Sequence, residues 1–186
     1  MYLLWYLEAL LFLCAIVLWA FVFAWHTSYT RREVFRLKPG AAVFASATLA
    51  GVVCAVGLHF FLDPALRVQT PEDYPANVIE WIAQTLFALG LSQLFLLFAP
   101  FAWLLRLFQN RSVATLLTVL FGVFVLAIKT GSSPKPYPLP LFSALLLVRI
   151  VSGSLGVFFY LRGGVSLVWW LGLLIEARHL LNLSGH

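Results

Sequence analysis

The sequence predicts an all-α protein: a polytopic integral membrane helix bundle of about six transmembrane helices, in one transmembrane domain over residues 1–186. Three observations predict it. Hydrophobic residues fill 62% of the 186 positions, about 115 residues, and a bilayer span takes roughly 20, so the composition supplies about six spans and leaves little else. Charged residues make up only 10%, against roughly 25% in a soluble domain, and the mean hydropathy is +0.97. The apolar runs are continuous and do not alternate with period two, which favours helices over barrel strands. A soluble enzyme, a disordered chain and a nucleic-acid binder are excluded at this level. So is a sizeable extramembrane domain, because no polar stretch is long enough to make one.

The first span is expected at Tyr2–Trp25. It lacks a basic leading segment and an A-x-A cleavage site, and it is too long for a secretory signal core, so it is expected to stay in the mature protein. The second span is expected at Ala41–Leu62. The third, Val78–Leu105, is long and holds Gly90 and Pro100. Proline removes a backbone hydrogen bond, so a kink or break is expected near Pro100. The fourth, Val113–Ile128, is short and would cross with little tilt. The fifth, Pro140–Leu161, and the sixth, Val165–Leu183, are joined by a very short turn at Arg162-Gly163-Gly164. They are therefore expected to pack as antiparallel neighbours. Trp5, Tyr6, Trp25, Tyr29, Tyr74, Trp81, Tyr137 and Tyr160 fall near span ends, where aromatic side chains favour the membrane interface.

The net charge of +5 fits cytoplasmic loops better than a nucleic-acid surface. Odd loops carry seven basic residues: Arg31, Arg32, Arg36, Lys38, Arg106, Arg111 and Arg162. Even loops carry three: Arg67, Lys129 and Lys135. This bias places the first loop in the cytoplasm and both termini outside. Cys14 and Cys54 lie inside apolar runs, without metal-ligand spacing or a disulfide framework.

Polar groups inside hydrocarbon are costly, and each is a candidate site. They are Glu8, His59, Glu80, Gln84, Ser92, Gln93, Arg149, Glu176, Arg178 and His179. Glu8, His59 and Glu80 lie near span ends, within reach of solvent. Arg149 and Glu176 fall at similar depth on neighbouring helices by a rise of about 1.5 Å per residue. An intramembrane ion pair between them is expected, with His179 one turn from Glu176. Gln93, with Ser92 and Gln84, brings hydrogen-bonding groups to an otherwise apolar helix. The candidate intramembrane polar site is therefore Arg149, Glu176, His179 and Gln93. There is no HExxH, Walker loop or GxGxxG, and His59 and His179 are isolated, so no metal and no cofactor is expected.

Several stretches taken together carry a resemblance. They are Gly90-Leu91-Ser92-Gln93-Leu94-Phe95-Leu96-Leu97-Phe98, Leu104-Leu105-Arg106-Leu107-Phe108, and Leu117 through Val125. A later one is Gly156-Val157-Phe158-Phe159-Tyr160-Leu161, running into Arg162-Gly163-Gly164-Val165-Ser166-Leu167-Val168-Trp169. With the loop from Arg31 to Gly40, they resemble the CAAX protease and bacteriocin-processing (CPBP, Abi) family of intramembrane proteins, over about residues 30 to 183. In that family a Glu-Glu-x-x-x-Arg motif, a Phe-x-x-x-His motif and a His-x-x-x-Asn or Asp motif carry the chemistry. Here Ser92 and Gln93 stand at the glutamate pair and Leu97 at the arginine. Phe121 and Gly122 are kept, Val125 replaces the histidine, and His179 and Asn182 are three apart.

The resemblance implies a degenerate, pseudoprotease-like member with no catalytic residue in place, in a bacterial inner membrane. Its partners would be the lipid bilayer and another membrane protein or a membrane-inserted peptide, with no nucleic acid. Binding or scaffolding is the first functional expectation: a membrane segment, a lipid-modified peptide or a partner complex. The second is an accessory subunit of a larger membrane complex, unrelated to that family. The third is an active endopeptidase with a site rebuilt around Glu176 and His179.

Overall fold

The computed structural model describes residues 2–30, 33–35 and 39–183, with side chains at 10–28, 33–35, 39–181 and 183. The first-loop cations Arg31, Arg32, Arg36 and Lys38, and the side chain of Glu8, lie outside the described residues. The chain forms α1 (Tyr2–Thr30), α2 (Ala41–Gln69), α3 (Val78–Phe108), α4 (Arg111–Gly131), α5 (Leu139–Glu176) and the short α6 (Arg178–Leu183). No strand occurs among the described residues. Five helical stretches are long and apolar enough to cross a membrane: Leu10–Ser28, α2, α3, α4 and Leu139–Leu181. Their outward faces are apolar, with Phe61 81% and Ile79 80% exposed. Hydrocarbon, rather than water, suits such faces.

At 38 residues α5 would measure about 57 Å if straight, nearly twice a bilayer core. It is not straight, because Gly164 sits at φ 71°, ψ −165° and turns the chain back on itself. Residues 139–163 run antiparallel to α4, with Gly153 against Val119 and Arg149 against Gly122. Residues 165–176 run antiparallel to α3: Trp169 Nε1 donates to the Leu89 carbonyl at 2.8 Å, and Trp81 Nε1 donates to the Glu176 carbonyl at 2.9 Å. The segment 33–35 docks on this corner, where the Val165 amide donates to the Val34 carbonyl at 3.0 Å. At the opposite end the link after α2 meets the link after α4. Gln69 Nε2 donates to the Lys135 carbonyl at 2.9 Å, and Lys129 Nζ lies 2.7 Å from Asp73 Oδ2.

α3 narrows one expectation, a kink or break near Pro100. The helix does not break at Pro100; it runs unbroken from Val78 to Phe108. Two wide turns, Ala88–Ser92 and Leu94–Phe98, precede the proline. Such turns shift the backbone register, so the missing proline amide falls where the helix is already rearranged. Glu80 is an exposed cap: its amide donates to Asn77 Oδ1, and its carboxylate accepts from the Ala76 amide, each at 2.9 Å.

The core lies where α1, the second half of α3 and the first half of α5 meet, around Val22, Phe98, Phe101, Leu105, Val157 and Tyr160. Two of the aromatics expected near span ends are buried in the core: Trp25 is 8% exposed and Tyr160 1%. The reason is a buried hydrogen bond. His26 Nδ1 lies 3.0 Å from the Tyr160 hydroxyl, which gives that polar tip a partner inside the bundle. Tyr160→Phe is expected to lower stability by about 0.5–1.5 kcal/mol. Thermal unfolding in detergent checks it, and an unchanged midpoint would show the bond contributes nothing.

Candidate functional site

A cavity of about 560 Å³ opens between the two halves of α5 and the facing sides of α2, α3 and α4. Its walls are mostly aliphatic, including Leu58, Leu62, Leu96, Leu145, Leu171 and Ile175. Small residues make the space. Cys54, Gly57, Ala88, Ser92 and Ser152 line it where larger side chains would fill it.

Three of the four sequence-derived site residues reach this one cavity: Gln93 from α3, Arg149 from the first half of α5 and Glu176 from the end of α5. The fourth, His179, does not. It lines a neighbouring pocket of about 400 Å³ with Arg67, Pro71, Tyr74 and Leu183.

The expected ion pair between Arg149 and Glu176 is absent: no salt bridge joins them. Their levels differ. Arg149 lies opposite Gly122, nine residues and so about 13 Å from the end of α4. Glu176 lies level with Trp81, in the first turn of α3. The straight-rise estimate placed them together because it could not include how far the helices extend past one another.

The Arg149 guanidinium instead lies flat against α4. A Cβ on Gly122 would come within 2.6 Å of its Nε, so a side chain there would displace the guanidinium. No hydrogen bond or ion pair satisfies this guanidinium among the described residues. An arginine at bilayer depth costs roughly 2.5–3.5 kcal/mol on insertion scales, which makes an unpaired one conspicuous. Gln93 is similarly incomplete. Its Oε1 is buried without a partner among the described residues, and its Nε2 presses on Gly172, where a Cβ would stand at 2.5 Å.

At one end the cavity meets a polar cluster. Glu176 Oε2 stands 3.6 Å from His179 Nε2. Arg178 also lines the cavity, and its Nε donates to Asp63 Oδ2 at 3.2 Å. The Tyr74 hydroxyl donates to Asp63 Oδ1 at 2.9 Å. Burial, and then the hydrogen bond to Asp63, push the Tyr74 phenol above its ordinary pKa, so it remains a donor. His59 Nδ1 lies 4.0 Å from Asp63 Oδ2.

The sequence reading missed Asp63, assigning it to a loop. It is 2% exposed and ties α2 to α6. The available signal was its place directly after the apolar run ending at Leu62, four residues past His59. An acidic residue continuing such a run calls for a cationic partner. Among the described residues, no group of three or more His, Cys, Asp or Glu side chains is placed to hold a metal ion.

Compared with known proteins, the chain matches no family model, no curated protein and no solved structure.

Proposed function

We propose that the chain is a six-span membrane protein that works by binding, holding a slender apolar chain in the cavity between α2, α3, α4 and the two halves of α5. The observation that carries this reading is the cavity's size set against its walls. At about 560 Å³ and mostly aliphatic, it falls within the roughly 300–1,000 Å³ of ligand pockets. A lipid, or the lipid tail of a modified peptide, suits aliphatic walls of this kind.

Six crossings are supported by the turn at Gly164 and by the loop contacts, since segment 33–35 meets the Gly164 corner while the α2 and α4 links meet at the other end. The basic bias then places the first loop in the cytoplasm and both termini outside. A bacterial inner membrane is the setting that the CAAX-protease resemblance implies. Ser92, Gln93 and Leu97, at the family's catalytic positions, all line the cavity. A neutral amide at Gln93 cannot take a proton from water, so we read the chain as a binding relative of that family rather than a protease.

Two assays test this. A diazirine-bearing long-chain alcohol in vesicles is expected to label cavity residues of the wild type, and Ser152→Trp, which fills the space, is expected to abolish that labelling. Labelling confined to the outer faces of the bundle would sink the binding reading. The contact between Glu176 and His179 favours the hydrolytic alternative, so prenylated and leader peptides are offered to wild type and Glu176→Gln. No cleavage is expected from either. Turnover by wild type that vanishes in the variant would make Glu176 the base.

A further inference from the structure

We infer that the cavity's occupant is an amphiphile with an anionic head, a carboxylate or a phosphate, and that Arg149 is the head-group ligand. The inference rests on the binding reading above and adds the chemical class of what is bound.

Charge carries the argument. Two cations and one anion line the cavity: Arg149, Arg178 and Glu176. Arg178 is engaged, with Nε on Asp63 and Nη1 donating to the Ile175 carbonyl at 2.8 Å. Glu176 stands at the far end of the cavity, turned to His179. Arg149 alone faces the middle of the aliphatic walls with no acceptor among the described residues. A guanidinium offers five N–H groups in a fork that fits two oxygens of one carboxylate or phosphate. In a low-dielectric cavity such a bond is stronger than in water, which makes the anion the complement that the site lacks.

Position agrees with charge. Gly122 lets the guanidinium lie back against α4, with Nε and Nη2 nearest that glycine, while Arg149 still lines the cavity. Gln93, on the α3 side of the cavity, presents an unpartnered Oε1 that can accept from the hydroxyl of a singly protonated phosphate head. The aliphatic walls at Leu58, Leu96 and Leu145 take the chain. An uncharged head would fill the same volume and offer Arg149 only a neutral acceptor, without the charge-assisted, two-oxygen contact.

The test uses the full protein in phosphatidylcholine vesicles with three diazirine probes of equal chain length: a fatty acid, an alkyl monophosphate and the alcohol. In the wild type an anionic probe is expected to label the cavity walls about tenfold more efficiently than the alcohol, the ratio of one charge-assisted hydrogen bond. Labelling by the fatty acid alone, or by the monophosphate alone, supports the inference and names the head. Arg149→Leu is expected to retain alcohol labelling and lose the anionic preference. Arg149→Lys should keep part of it, because lysine keeps the charge without the fork. Arg149→Leu should also melt no lower than wild type, since no protein partner is stranded. Equal labelling by anionic and neutral probes in wild type overturns the inference while leaving the binding reading intact. Failure of all three probes to label the cavity overturns the binding reading itself.

Discussion

Asp63→Ala is expected to lower stability by about 3–5 kcal/mol, the usual cost of leaving one member of a buried pair uncompensated. The Asp63 side chain is 3% exposed and that of Arg178 13%, so both charges are largely withdrawn from water. Removing the carboxylate strands Arg178 Nε and the Tyr74 hydroxyl together, and releases α6 from α2. The combined replacement Asp63→Leu with Arg178→Met removes both charges and should lose clearly less than Asp63→Ala alone. Thermal unfolding of the purified proteins in one detergent compares them. A double variant as unstable as the sum of the single ones would show that the two side chains act independently.

Gly164→Val is expected to cost about 1–3 kcal/mol and to loosen the corner between the halves of α5. At φ 71°, ψ −165° a Cβ is forced against the backbone, a region essentially reserved for glycine. The neighbouring Val165 amide would then lose its fixed position under the Val34 carbonyl, so segment 33–35 should become accessible to protease. Gly57→Ala is the contrast. Its backbone is helical at φ −59°, ψ −46°, and nothing lies within 4 Å of an added Cβ, so a gain of about 0.4–1 kcal/mol is expected. A Gly164→Val protein that melts with the wild type and keeps 33–35 protected would show that the corner tolerates side chains.

The site was partly legible. Arg149, Glu176 and Gln93 stood out because polar groups in apolar runs are few and costly, and all three line the cavity. Their mutual arrangement was not legible. The level of Glu176 depends on its helix continuing to Trp81 of α3, and the direction of Arg149 depends on Gly122 of a different helix. Asp63 escaped because the second span was ended at Leu62, one residue before it. In a packed bundle a charge can stay at depth if another helix supplies its partner, and Arg178 lies 115 residues further on.

The amino-acid sequence by itself determined the helical class, the apolar stretches long enough to cross a membrane, and the turn at Arg162-Gly163-Gly164. These follow from local chemistry: a backbone in hydrocarbon must satisfy its own hydrogen bonds, and glycine permits the reversal. Only the tertiary structure decided that Pro100 is carried by wide turns without a break, that Tyr160 is a core residue bonded to His26, and that Arg149 shares a cavity with Glu176 without pairing with it. Those outcomes depend on which helices become neighbours and at what level. In an almost uniformly apolar chain many pairings bury similar surface, so the choice rests on a few glycines and polar contacts far apart in sequence.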